Sequence, residues 1–199
     1  MKPLIPTHDR LALAFAFFLV FFGAFFRVFR LELLPGRPNF APLMAIALCG
    51  GLFLPGTLAF LAPLGALLLS DILLNLHYGT PVFGSGELLR YACYGIGVVC
   101  GLAARRSNGS PAPVLGLVAA NSLLFYLVTN AAAWFGNPAY PQSFGGLAQS
   151  LTVGLPGYPP TWTFLRNSLA SDLLFAGVFL VALHLAARKE EAIPARVQA

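Results

Sequence analysis

Charged residues are scarce in this chain: Asp, Glu, Lys and Arg make up only 10% of its 199 residues. A soluble domain uses about 25% charged residues to cover its surface, so this composition excludes an ordinary water-soluble fold. Hydrophobic residues reach 58% of the chain, and its mean hydropathy is +0.77. We therefore predict an integral membrane protein in which lipid surrounds most of the outward-facing side chains.

Several common kinds of site are also missing. The three cysteines, Cys49, Cys93 and Cys100, lie within apolar runs, and an odd number offers no disulfide framework. The sequence contains no His-Glu-x-x-His, no Gly-x-Ser-x-Gly and no phosphate-binding lysine loop. We therefore expect no catalytic residue, no metal site and no cofactor. The net charge of +5 is scattered between apolar runs, which argues against a nucleic-acid partner.

Six apolar runs divide the chain, and turn-forming Pro, Gly and Asn residues separate them. They predict a single all-α domain over residues 1–199, a bundle of six transmembrane helices. The second and fourth runs are short for a span of about 20 residues. We also expect a short helix near 143–153, in the long connection before the last run. The predicted spans are 11–30, 39–54, 57–77, 88–104, 112–135 and 164–187.

Lys and Arg give the expected orientation in the membrane. One side of the predicted bundle carries basic residues in its loops and tails, whereas those of the other side lie mostly at helix ends. Cytoplasmic loops are enriched in Lys and Arg, so this bias favours cytoplasmic N and C termini. The chain is predicted to cross the membrane several times.

The polar residues of the spans are concentrated near their predicted outer ends. Polar groups are costly in hydrocarbon, so a cluster of them at one depth indicates a function. We expect a cavity that opens outward and binds a small solute, above an apolar inner half. The candidate solute-binding residues are Asn39, Asp71, Tyr91, Asn130, Trp134, Tyr140, Trp162, Asn167 and Asp172.

Asp71 and Asp172 are the strongest candidates because each lies about two turns inside its predicted helix, too deep to be only a cap. Structural pairing explains the same positions. Asp71 would then pair with Arg27 or Arg90, and Asp172 would pair with Arg166 or Asn130. A proton relay is a third interpretation. The sequence alone leaves these alternatives open.

Several segments together resemble a bacterial inner-membrane family of about this length that has no assigned substrate. The resemblance extends from about residue 30 to 180. The segments are Arg37-Pro38-Asn39-Phe40-Ala41-Pro42, Leu68-Leu69-Ser70-Asp71, Leu124-Phe125-Tyr126-Leu127-Val128-Thr129-Asn130 with Trp134, Tyr140-Pro141 before Gly145-Gly146-Leu147, and Arg166-Asn167-Ser168 before Asp172-Leu173.

That family is similar in architecture to the S-components, the substrate-binding subunits of energy-coupling-factor vitamin transporters. The resemblance implies six helices, an outward-facing pocket for a vitamin-like solute, and uptake with the help of a transmembrane T-component and two ATPases. It also implies that Ala12 and Ala16, an Ala-x-x-x-Ala pair on the first helix, contact the T-component. Some members of the S-component group work alone.

Two other functions fit the same sequence. The chain is then either a non-catalytic structural or interaction subunit of a larger membrane complex, or an enzyme that acts on a lipid or isoprenoid. The enzyme would need paired carboxylates, for which Asp71 and Asp172 are the candidates.

Overall fold

The structure is a computed structural model that describes residues 9–34, 36–81, 86–107 and 110–192. Within these ranges the predicted all-α class is confirmed. A 3₁₀ turn, Arg105–Ser107, accompanies seven α-helices. The helices are α1 (Asp9–Leu33), α2 (Leu43–Phe53), α3 (Leu58–Tyr78), α4 (Glu87–Ala104), α5 (Pro111–Gly136), α6 (Phe144–Leu151) and α7 (Trp162–Ala192).

Five of these helices are long and apolar enough to cross a membrane: α1, α3, α4, α5 and α7. Their outward faces carry large apolar side chains, as in α1, where Phe17, Phe21 and Phe25 are each more than half exposed. Such a surface is unfavourable in water and favourable in lipid. The helices are thus compatible with a membrane protein, as the composition predicts.

The second predicted span differs from the expectation. Instead of covering 39–54, α2 has only 11 residues and is about 16 Å long, against about 30 Å of hydrocarbon. Its late start has a local cause. Asn39 adopts the left-handed conformation, with φ of 60°, and Pro42 precedes the first helical residue. Both features interrupt a helix that the apolar pattern alone would extend.

All residues of α2 are buried, because the five long helices surround it. Around the perimeter each long helix contacts the next in the order α1, α3, α4, α5, α7. Aromatic rings close the circle between α7 and α1, with Phe22 5.5 Å from Phe175 and Phe26 5.0 Å from Phe175 between ring centroids. A short apolar helix therefore forms the centre of the bundle.

The backbones of α2 and α4 touch where they cross. A Cβ atom built on Gly101 would lie 2.0 Å from the carbonyl oxygen of Leu48, and one on Gly51 would lie 2.1 Å from that of Val98. Only glycine permits this approach from both sides. Such contacts between small residues are typical of helices packed in a membrane.

The C-terminal end of α2 is held by Arg105, just after α4. Its Nε donates to the carbonyl oxygen of Gly51 at 2.9 Å, and its Nη2 donates to that of Leu54 at 2.6 Å. These carbonyls lack partners within the helix. A cation at this end also interacts favourably with the helix dipole.

Candidate functional site

A cavity of about 640 Å³ lies at one end of the bundle, beyond the N-terminal end of α2. Its wall combines the C-terminal part of α1, the beginning of α2, Leu67 of α3, the N-terminal parts of α4 and α7, and the middle and C-terminal part of α5. Ionisable and hydrogen-bonding side chains make up about half of this wall. They are Arg27, Arg30, Asn39, Glu87, Arg90, Tyr94, Ser122, Thr129, Asn137, Ser168 and Asp172.

A smaller pocket of about 240 Å³ adjoins this cavity, because Asn39, Phe125, Thr129 and Ser168 line both. It adds Asn130 to the site. The side-chain amide of Asn130 already donates to the carbonyl oxygen of Tyr126 at 2.8 Å, which leaves its oxygen and its second N–H to offer a ligand.

Asp172 is buried beside the cavity and caps α2 from another helix. Its Oδ1 accepts hydrogen bonds from the backbone N–H groups of Met44 and Ala45, both at 3.2 Å. Its Oδ2 accepts one from the hydroxyl of Ser122 at 2.8 Å. Pro42, at the N-cap position, has no capping side chain of its own, so α7 supplies the acceptor. The predicted pairing of Asp172 with Arg166 or Asn130 does not form.

Asp71 pairs with both of the arginines named as its alternatives. Its Oδ1 lies 2.5 Å from Nη1 of Arg27, and its Oδ2 lies 3.4 Å from Nη2 of Arg90. The carboxylate is buried and is not among the residues that line the cavity, whereas both arginines are. Asp71 therefore fixes two guanidinium groups in the wall instead of facing the cavity itself.

The remaining wall arginine, Arg30, is held differently. Its Nη1 donates to the backbone carbonyl oxygen of Arg37 at 3.0 Å. Among the side chains that the structure describes, no carboxylate forms an ion pair with it. Arg90, in contrast, also pairs with Glu87, at 2.8 Å between Nη2 and Oε1.

The connection between α1 and α2 is fastened to the start of α7. Asn167 is almost fully buried, and its Nδ2 donates to the carbonyl oxygen of Pro38 at 2.9 Å. The hydroxyl of Ser171 donates to the carbonyl oxygen of Ala41 at 3.0 Å. These bonds place Asn39 at the cavity, so Asn167 positions the loop and is not among the residues of the wall.

The predicted aromatic residues lie apart from the two cavities. Trp134 donates through Nε1 to the carbonyl oxygen of Pro141 at 2.9 Å, and Tyr140 is buried. Trp162 is half exposed, with the guanidinium of Arg166 5.1 Å from the centre of its ring. Tyr91 packs on a small apolar cluster that includes Leu67. In this conformation none of these four lines either cavity.

The structure thus brings three predicted residues to the cavities: Asn39, Asn130 and Asp172. Sequence reasoning missed the hydroxyls and Arg30 and regarded Arg27 and Arg90 only as partners of Asp71. These residues could have been found from the depth that they share along the spans, because ionisable residues inside apolar runs usually mark a functional site. The missed polar residues of the wall are Arg27, Arg30, Glu87, Arg90, Tyr94, Ser122, Thr129, Asn137 and Ser168.

The structure describes the side chain of one residue of the Ala-x-x-x-Ala pair on α1. Ala16 is 5% exposed and belongs to the central apolar core, so its side chain faces the bundle. The side chain of Ala12 lies outside the described residues. Across the described ranges, no group of three or more His, Cys, Asp or Glu residues lies close enough to hold a metal ion.

The model of one protein family matches residues 8–195, nearly the whole chain. Its description is "Family of unknown function (DUF6580)". Neither the curated proteins nor the solved structures contain a match to this chain.

Proposed function

The chain belongs to DUF6580, and we propose that it is a bacterial inner-membrane protein that binds a small, vitamin-like solute for uptake. The cavity beyond α2 is the observation that carries this proposal. Its volume of about 640 Å³ falls within the range of about 300–1,000 Å³ that is typical of small-molecule sites. Its wall offers both hydrogen-bonding groups and apolar surface, such as Leu43, Met44 and Phe125.

The apolar packing in the opposite half of the bundle favours a receptor over a pore. Leu48, Val98, Val114 and Val118 are fully buried there around the α2–α4 contact. A solute held in the cavity therefore meets a packed apolar layer on its way across the bundle. Release on the other side requires a movement of the protein.

The proposed orientation places the cavity on the outer face and both termini in the cytoplasm, in agreement with the distribution of Lys and Arg. The sequence has no phosphate-binding lysine loop of its own. Active uptake therefore draws energy from an ion gradient or from partner subunits, such as a T-component with ATPases. The S-component resemblance favours the second source.

The two competing functions receive less support. The enzyme hypothesis needs two carboxylates facing one substrate, but Asp71 is bonded to two arginines and Asp172 to the start of α2. The hypothesis of an interaction subunit instead makes the polar end of the bundle a contact surface for another protein. Binding of a free solute would distinguish the receptor hypothesis from the interaction-subunit hypothesis.

The test is a cavity-filling substitution with a matched control on the same helix. Ala133 lines the cavity, whereas Ala120 is an exposed alanine of α5 that does not. Wild type, Ala133→Trp and Ala120→Trp are purified in lipid nanodiscs, and their melting temperatures are screened against a library of water-soluble vitamins and their precursors.

We expect at least one compound to raise the melting temperature of wild type and of Ala120→Trp, and to have no effect on Ala133→Trp. The indole of Ala133→Trp would occupy the space of the solute. Without added compound, the melting temperatures of the two variants should be similar. Equal stabilisation of Ala133→Trp, or no stabilisation of wild type by any compound, would contradict a solute receptor.

A further inference from the structure

The charges of the cavity wall are unevenly matched. Arg27 pairs with Asp71, and Arg90 pairs with Glu87 and Asp71. Among the described side chains no carboxylate pairs with Arg30, whose Nη1 donates to the neutral backbone carbonyl oxygen of Arg37. A guanidinium stays charged under all ordinary conditions, so in a membrane cavity Arg30 favours the approach of an anion.

Two described carboxylates at this end of the bundle, those of Asp71 and Asp172, are already engaged. Both oxygens of Asp71 contact arginines, and both oxygens of Asp172 accept hydrogen bonds from the bundle. Neither is free to turn towards Arg30 without breaking contacts that hold α2, α3 or the other arginines. The missing negative charge is therefore not supplied by these neighbours.

The nitrogen atoms of two wall arginines also indicate that the cavity favours an anion. The Nε atoms of Arg30 and Arg90 are buried, and in the part of the chain that the structure describes neither has a hydrogen-bond partner. Both residues line the cavity. Buried donors normally have partners, and a guanidinium presents its donors as a planar fork that fits carboxylate and phosphate groups.

We propose that the solute carries a carboxylate or phosphate group and that Arg30, together with Arg90, binds it. This inference rests on the proposed function, since it names the chemical class of the solute. An anionic lipid headgroup offers the same chemistry, so the experiment must separate a soluble anion from a lipid.

The test compares anions with neutral analogues of the same size in nanodiscs of phosphatidylcholine, at constant ionic strength. The probes are inorganic phosphate and three pairs: nicotinate with nicotinamide, pantothenate with panthenol, and pyridoxine phosphate with pyridoxine. The proteins are wild type, Arg30→Gln, Arg30→Lys and the control Arg37→Gln. Arg37 is exposed and lies outside the cavity wall, and its loss changes the net charge equally.

In wild type and Arg37→Gln we expect the anionic member of a pair to bind about tenfold more tightly than its neutral analogue, measured by thermal shift. Arg30→Gln should abolish this preference. Arg30→Lys, which keeps the charge but loses the fork, should retain part of it, and it serves as the informative variant if Arg30→Gln does not fold.

Equal binding of neutral and anionic members, or an unchanged preference in Arg30→Gln, overturns the anion subsite while the proposed solute receptor stands. Failure of all these probes and of the wider vitamin library overturns both. If phosphatidylglycerol stabilises wild type over Arg30→Gln and soluble anions do not compete, the anion belongs to a lipid and the solute assignment is wrong.

Discussion

The two ends of the bundle share the same surrounding helices but differ in what lies between them. At one end α2 fills the centre, and its backbone touches α4 through Gly51 and Gly101. At the other end α2 is absent, because it is only 11 residues long, and the space beyond its start is the cavity. The shortness of α2 therefore creates the site.

Opposite charges hold the two ends of α2. Asp172 accepts from the N–H groups of its first turn, and Arg105 donates to the carbonyls of its last. Each charge has the sign that the helix dipole favours. All residues of α2 are buried, and both caps come from neighbouring segments of the chain.

A substitution at the packed end should lower the free energy of unfolding more than one at the cavity end. In Gly101→Ala the new methyl group meets the backbone of α2 and forces α2 and α4 apart. We expect a loss of about 3 kcal/mol in the free energy of unfolding, at the upper end of the usual cost of overpacking. Denaturant unfolding of the protein in detergent measures this.

Gly95→Ala is the matched control on α4, because a Cβ atom there meets nothing within 4 Å. It should be neutral or slightly stabilising, since alanine favours a helix over glycine. Similar stabilities of the two alanine variants would mean that the close α2–α4 crossing does not exist.

The cap between the two regions should have an intermediate effect. In Asp172→Ala two N–H groups of α2 and the hydroxyl of Ser122 lose their acceptor, and we expect a loss of about 2 kcal/mol in the free energy of unfolding. Asp172→Asn keeps one acceptor oxygen at the helix start and should lose about half as much. Denaturant unfolding distinguishes the two variants, and equal stability of Asp172→Ala and wild type would exclude the capping role.

The sequence predicted the helical class, the approximate bounds of the five long helices and the short α6 (Phe144–Leu151). Those features follow from apolar runs and from local turn residues. It did not predict the length of α2, because hydropathy does not register the left-handed backbone at Asn39. An apolar run buried inside a bundle has the same composition as one that faces lipid.

The candidate site was predicted in position but only partly in its residues. Depth along the spans grouped polar residues at one end of the bundle, and three of the predicted ones, Asn39, Asn130 and Asp172, line the cavities. Which of them face the cavity depends on helix rotation and on pairing across the bundle. Asp71 is an example, since its two arginines line the wall in its place.

Cysteine labelling tests the contrast between the two ends most directly. The native Cys49, Cys93 and Cys100 are replaced by alanine, and single cysteines are introduced on α5 at Thr129, in the cavity wall, and at Val114, buried at the packed end. Tyr158→Cys, at an exposed position before α7, controls for access of the reagent. A membrane-impermeant maleimide is added to the outside of intact cells or to inverted vesicles.

We predict that Thr129→Cys and Tyr158→Cys react from the outside, and that Val114→Cys reacts from neither side. Failure of Thr129→Cys to react while Tyr158→Cys does, or reaction of Val114→Cys from either side, would contradict an open polar end above a closed apolar one.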